Sequence, residues 1–194
     1  MKVADELSLT IGQARNRDQA AFEALVDLYS AKLYGFLFRL TGKREDAEDL
    51  VQEVFVRLVQ AIERYEHDGR FEAWLFRIAM NLARDRVRRL SRAPGIVALG
   101  PSHEGDGGGD RVSRTGKNCQ EPAVDYPMQL ADDVDRLQKA LSQLPSSERE
   151  TVMLRHYSDM TFAEIAAAMA IPLGTALARA HRGLARLREL MESD

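Results

Sequence analysis

Before residue 92 the apolar residues recur three and four apart in three successive runs, and that rhythm restricts this stretch to helices packed on one another. The first run is Phe22, Leu25, Val26, Tyr29, Leu33, Phe36, Leu37 and Leu40, stopped at Thr41-Gly42, where glycine supplies a left-handed cap. The second is Ala47, Leu50, Val51, Val54, Phe55, Leu58, Val59 and Ile62. A polar connector, residues 65–70, leads to the third: Phe71, Trp74, Leu75, Ile78, Ala79, Leu82 and Val87. Three such stripes enclose one all-helical core.

From Arg92 to about Ala131 the periodicity is lost. Gly105 to Asp110 is glycine-rich, and Pro94, Pro101, Pro122 and Pro127 punctuate the remainder. A structureless run of this length is too long for a loop inside a compact domain, so it is expected to be a flexible linker. The rhythm returns with Val134, Leu137, Ala140, Leu141 and Leu144 and stops at Pro145. Ser147 with Glu150 fits a capping box ahead of Val152, Met153, Leu154 and Tyr157, and Thr161 with Glu164 fits a second. Pro172 suits the first position of a last helix running to about Met191. A short capped helix, a tight turn and an arginine-rich helix make a helix-turn-helix pattern. The expected organisation is therefore all-α: a bundle over 1–92, a linker over 93–132 and a helix-turn-helix unit over 133–194.

Charge is distributed unevenly along these helices. The chain carries a net charge of −3, so it is not a general nucleic-acid coat. Yet residues 84–92 hold Arg84, Arg86, Arg88, Arg89 and Arg92 against Asp85 alone. The second helix instead presents Glu45, Asp46, Glu48, Asp49, Gln52 and Glu53, with Asp46, Asp49 and Glu53 on one face. Such a face is either simply solvated or a seat for a basic partner. On the third helix Arg77, Asn81, Arg84 and Arg88 form one polar stripe: arginine pairs with phosphate and asparagine reads a base edge. Tyr65, Phe71, Trp74 and Phe76 lie at its entrance. Phe71 and Trp74 read as core, whereas Phe76 and Tyr65 read as free to stack on unpaired bases.

Several function classes drop out. The motifs of phosphate-binding loops, serine hydrolases and zinc proteases are lacking, and His67, His103, His156 and His181 lack metal-ligand spacing. No catalytic residue, metal or cofactor is expected. Cys119 stands alone, which excludes an internal disulfide. No stretch reads as a signal peptide or a membrane span, so a cytoplasmic protein is expected, with no membrane insertion.

Three blocks carry a resemblance: Asp46-Ala47-Glu48-Asp49-Leu50-Val51-Gln52-Glu53-Val54-Phe55, then Trp74-Leu75 through Asn81-Leu82-Ala83-Arg84-Asp85, and Leu144-Pro145 through Glu164-Ile165-Ala166 to Gly174-Thr175. In this order and spacing the chain resembles the extracytoplasmic-function (ECF) sigma factors of bacterial RNA polymerase, within the sigma-70 family. The resemblance implies a sigma region 2 bundle and a region 4 helix-turn-helix domain. It implies an alternative sigma factor that binds core RNA polymerase, opens the minus-ten promoter element and is commonly held inactive by an anti-sigma factor. It places Asp46, Asp49, Gln52, Glu53 and Phe55 at the polymerase contact. The melted minus-ten strand falls to Tyr65, His67, Arg70, Arg77, Asn81, Arg84 and Arg88, and the minus-thirty-five element to Thr175, Leu177, Arg179 and Arg182.

One departure stands out. After Gly174-Thr175 the family usually has an apolar residue and then Lys-Ser-Arg; here the chain reads Ala176-Leu177-Ala178-Arg179, with Ala180 and Gly183 at normally bulkier positions. Either Leu177 meets a thymine methyl in an altered upstream element, or this domain binds DNA weakly. Ala180 and Gly183 are expected to thin the packing. Two rival readings remain beside the resemblance: a stand-alone helix-turn-helix regulator, and a protein-interaction adaptor or decoy.

Overall fold

A computed structural model describes residues 2–92 and 128–192, and among these residues the chain is all-α, with no strand. Helix α1 spans Lys2–Arg15, α2 Gln19–Thr41, α3 Arg44–Ala61 and α4 Phe71–Arg92, with a 3-10 turn at Ile62–Arg64. The second half holds α5 (Met128–Gln143), α6 (Ser146–Tyr157), α7 (Phe162–Met169) and α8 (Leu173–Glu192). The expected linker lies mostly outside the described residues, and α5 opens at Met128, inside its span.

Helix α2 is the spine of the first half. Asp18 caps it by accepting from the Ala21 N–H at 2.8 Å, and Gly42, at φ 69°, closes it by donating to Phe38 O at 2.8 Å. Its buried stripe meets those of α3 and α4 as the periodicity requires. Helix α1, which the rhythm did not announce, packs on α2 and the 3-10 turn through the fully buried Ile11 and Ala14. Three residues of the expected stripes are exposed instead: Val26, Val59 and Val87. Val26 and Val59 line one open groove with Ala14 and Phe22.

In the second half, α8 packs on α5, α6 and α7. The capping box at Thr161 and Glu164 forms, with the Thr161 N–H donating to the Glu164 carboxylate at 2.8 Å. The one expected at Ser147 and Glu150 does not. Helix α6 already starts at Ser146 with Pro145 at its cap, which places Ser147 inside the helix, and the Glu150 carboxylate is taken by Arg84. Pro172 likewise lies just outside α8, where its carbonyl accepts from Thr175 and Ala176.

Gly183 and Ala180 do not thin the packing. They are buried where α8 crosses α6, and a Cβ on Gly183 would stand 2.9 Å from Val152 Cγ2. Beneath α8 lies Glu148, a buried carboxylate that accepts from Arg182 Nε and Arg186 Nη1, both at 3.0 Å. A buried charge needs such partners, and here two guanidiniums supply them.

The halves share one contiguous buried cluster, and α2 touches both α5 and α6. Tyr157 of α6 lays its ring 5.8 Å from Phe36 and 6.3 Å from Phe76, over Gly35.

Candidate nucleic-acid interface

The acidic block sits on α3 as the spacing demands, with Asp49 and Gln52 exposed and Asp46 and Glu53 partly buried. Phe55, expected at the same contact, is partly buried against the core. An unforeseen partner crosses from α4. Arg86 Nη2 donates to Asp46 Oδ1 at 2.6 Å and reaches Asp49 Oδ2 at 3.4 Å. The hydrogen bond to Asp46 holds the Arg86 guanidinium further above its ordinary range, although partial burial opposes this. Opposite charge on consecutive helices of one bundle was the available signal for this pair. Asp49 keeps 65% of its side chain exposed, so it remains open to a second cation.

The connector folds over the start of α4. Asp68 Oδ1 accepts from the Arg70 N–H at 3.0 Å and from Tyr65 OH at 3.3 Å, while Gly69 turns the chain at φ 80°. Two sequence expectations fail here. Tyr65 is 7% exposed and Phe76 is fully buried, so neither ring lies free on the surface. Tyr65 packs 4.6 Å from Trp74 and 5.5 Å from Phe71; Phe76 meets Phe36 edge-on at 5.0 Å. Tyr65 is buried by the start of α4 folding back on the connector, whereas Phe76 is covered from the second half by Tyr157, 6.3 Å away. Burial, followed by the Asp68 charge, pushes the Tyr65 phenol up to about 12. His67 lies 5.9 Å from the Tyr65 ring, with its Nδ1 buried and unpartnered.

The partly exposed ring is Trp74. Together with Tyr65, Ile78 and Asn81 it lines an open groove of about 570 Å³, bordered also by Arg57, Arg64 and the acid Asp85. That volume is within the range of small-ligand pockets, roughly 300–1,000 Å³. Apolar ring faces and an amide fit a planar group such as a base, and two cations against the single acid Asp85 leave the groove a net positive charge. Arg57 and Arg64 were missed by sequence reading because they come from α3 and the 3-10 turn rather than from the α4 stripe.

Along α4, Arg77, Asn81 and Arg88 are exposed in the expected line. Arg84 is partly buried: its Nε and Nη2 both donate to Glu150 Oε2 of α6, at 2.9 and 2.6 Å. Arg70 is likewise ion-paired with Glu164 of α7. Two of the cations assigned to the melted strand therefore face carboxylates of the second half.

In the helix-turn-helix, α7 and α8 meet at 105°, within the range of such motifs. On α8, Thr175, Arg179, Arg182 and Arg186 share one flank, and Leu173, Leu177 and Leu184 share another. At about 100° per residue, Leu177 and Arg179 stand roughly 160° apart around the axis. The small residues Gly174, Ala178 and Ala185 lie between the flanks, and Ala176, Ala180 and Gly183 turn inward. The residues expected at the upstream element are thus brought onto one helix but split between its two sides, with Arg182 leaning on Glu148.

Among the described residues, no cluster of His, Cys, Asp and Glu has the arrangement to hold a metal. No single helix there is long and apolar enough to cross a membrane.

Family comparison agrees with this geometry. The Sigma-70 region 2 family matches residues 25–93, and the Sigma-70, region 4 family matches residues 135–187. The ECF RNA polymerase sigma factor SigW of Bacillus subtilis is 30% identical over 179 residues, covering 92% of this chain and 93% of that protein. The RNA polymerase sigma factor CarQ of Myxococcus xanthus is 35% identical over 182 residues, covering 91% and 92%. Among solved structures, the sigma factor RpoE in complex with the anti-sigma factor NepR from Bartonella quintana is similar at 26% identity. It has a TM-score of 0.64 and covers 89% of this chain and 98% of that one.

Proposed function

Because the chain belongs to the ECF sigma factors of the sigma-70 family, and is an alternative sigma factor for transcription initiation, we propose a division of labour among its surfaces. Region 2 occupies residues 1–92, region 4 residues 133–194, and a tether joins them. Helix α3 offers Asp49, Gln52 and the neighbouring acids to a basic surface of core RNA polymerase. The groove at Tyr65, Trp74 and Asn81, with Arg70, Arg77, Arg84 and Arg88 around it, holds the opened minus-ten strand. The polar flank of α8, Thr175, Arg179 and Arg182, meets the duplex of the minus-thirty-five element, and Leu177 meets a thymine methyl beside it.

The observation that carries this reading is that the groove opens at the C-terminal end of α3, beside Arg57 and Arg64, while the acids occupy the N-terminal half of that helix. A strand and a polymerase can be held together without competing for one surface. Extruding a base from the duplex costs a few kcal/mol, and stacking on an aromatic ring returns roughly 1–3 kcal/mol per base. The partly exposed Trp74, backed by the buried Tyr65, is the stacking surface; Asn81 addresses the base edge. The chain contributes binding rather than bond making, and the polymerase performs the chemistry. It works in the cytoplasm, and an anti-sigma factor restrains it there.

Co-elution with core RNA polymerase tests the assignment. Asp49→Arg abolishes co-elution while leaving the helical circular dichroism unchanged, because Asp49 is exposed. Asn81→Ala keeps polymerase binding and loses promoter opening, read by permanganate footprinting. Unimpaired co-elution of Asp49→Arg removes the acid face from the mechanism. Opening that survives Asn81→Ala removes the groove.

A further inference from the structure

Arg86 belongs to the basic run of α4, yet the strand-facing stripe does not use it. At about 100° per residue it stands roughly 200° around the helix from Arg84, on the side that meets α3. There its Nη2 is shared by two carboxylates one helical turn apart, Asp46 Oδ1 at 2.6 Å and Asp49 Oδ2 at 3.4 Å. The two acids differ in setting: Asp46 keeps 15% of its side chain exposed, Asp49 65%. The Arg86 side chain is itself mostly covered, with its Nε buried. Lys43, at the N-cap of α3, makes no capping hydrogen bond, so it is Arg86 that ties Asp46 of the first turn to the bundle.

A cation set into an acid face has two opposite effects on a basic partner. It weakens the attraction by cancelling part of the negative charge. It also holds the carboxylates in one arrangement before the encounter, which removes part of the ordering cost of association. A guanidinium that served only to neutralise would lie over Asp49, the exposed acid. Instead it is seated on the covered Asp46 and reaches Asp49 at the longer distance, leaving that carboxylate open to solvent.

We propose that Arg86 is a positioning residue for the polymerase contact: seated on Asp46, it fixes the first turns of α3 against α4 and steadies Asp49 for a cation of core RNA polymerase. Asp46 is then the anchor and Asp49 the contact. This rests on the assignment of the acid face to the polymerase and adds how that face is held. Helix α4 thereby serves two surfaces from opposite sides, the opened strand through Arg77, Asn81 and Arg88, and the polymerase contact through Arg86.

The test is biolayer interferometry of the full-length chain on immobilised core RNA polymerase, at a temperature where circular dichroism shows every variant fully helical. Arg86→Ala is expected to raise the dissociation rate about two- to fivefold, the scale of a partly exposed ion pair, with association unchanged or faster because the face gains negative charge. Arg86→Lys, which keeps the charge and loses the planar fork, falls between the two. Asp46→Asn reproduces the faster dissociation, and the double variant dissociates no faster than the quicker single one. Arg15→Ala, which removes an exposed cation of α1, stays at wild-type rates.

Slower dissociation of Arg86→Ala would make Arg86 a brake on the contact. Slower association at unchanged dissociation would make its role structural only, a loss of competent chain. Either result overturns the proposal, as do wild-type rates for Arg86→Ala. The assignment beneath it is judged separately. If Asp49→Arg still binds core RNA polymerase, the acid face and its support fall together. If Asp49→Arg loses binding while Arg86→Ala keeps wild-type rates, the face stands and the support is removed.

Discussion

Replacing Gly183 by alanine opposes two effects of similar size, and the geometry decides the sign. In a helix interior alanine is favoured over glycine by about 1 kcal/mol. At this position the added Cβ lies 2.9 Å from Val152 Cγ2, 3.3 Å from Glu148 Cβ and 3.4 Å from the Glu148 carbonyl oxygen. Carbon pairs settle at about 3.5–4.0 Å, so the nearest contact is short by more than half an ångström. Val152 offers little relief, because a β-branched side chain on a helix is held to one rotamer. The shift then falls on the helices themselves. Moving α8 away from α6 loosens the buried Ala176 and Ala180 and lengthens the bonds from Arg182 and Arg186 to Glu148. Overpacking of this kind costs about 1–3 kcal/mol, which leaves a net loss of roughly 0–2 kcal/mol after the propensity gain.

Thermal and urea unfolding of the full chain measure it, and 1 kcal/mol corresponds to about 2–4 °C in a cooperative unit of this size. Val152→Ala, which removes the obstructing methyls, should turn Gly183→Ala from destabilising to neutral or stabilising in the same background. The two substitutions would then couple by about 1 kcal/mol or more. A higher melting temperature for Gly183→Ala alone, or additive effects in the double variant, would refute the claim that close approach of α8 and α6 requires glycine.

Gly42→Ala should cost about 1–2 kcal/mol in chemical denaturation, because residue 42 is left-handed at φ 69° while its Cβ would meet nothing nearer than Gln138 Nε2 at 3.8 Å. Gly42→Asn should cost clearly less, and equal losses would point to a clash rather than to backbone strain. A third expectation concerns alkaline pH. Burial raises the Tyr29 and Tyr65 phenols to about 12, above their unfolded value of about 10. The folded chain therefore holds more protons than the unfolded chain between these values. Their contribution is whole below pH 10 and is lost as pH rises toward 12, by roughly 2–3 kcal/mol per ring at the limit. Tyr65→Phe should flatten the fall in urea stability over that range; an unchanged slope would show that the phenol is not protected.

Local signals carried far in this chain, and where they stopped is instructive. The stripes of α2, α3 and α4 were legible because a period near 3.6 is imposed by one buried face. The Thr161 capping box and the Gly42 cap were legible because their partners lie within four residues. The Ser147 and Glu150 pattern has the same local form and fails, since an arginine sixty-six positions away competes for the carboxylate. Helix α1 carries the same spacing in Val3, Leu7, Ile11 and Ala14, but the stripe is short and half as populated as the eight-residue stripe of α2.

The positions of acids, arginines and aromatics along helices, and hence the polymerase-facing and nucleic-acid-facing candidates, followed from the order of residues, since helical spacing converts order directly into faces. Burial of Tyr65 and Phe76, the Arg86 bridge to Asp46, the groove joining α3 to α4, and the pairing of Arg70 and Arg84 with region 4 did not. Apart from Tyr65, which the neighbouring start of α4 folds over, each depends on which surface of one helix meets another element distant in the chain. Helical periodicity fixes a side chain's direction around its own axis but carries no record of what comes to lie against it.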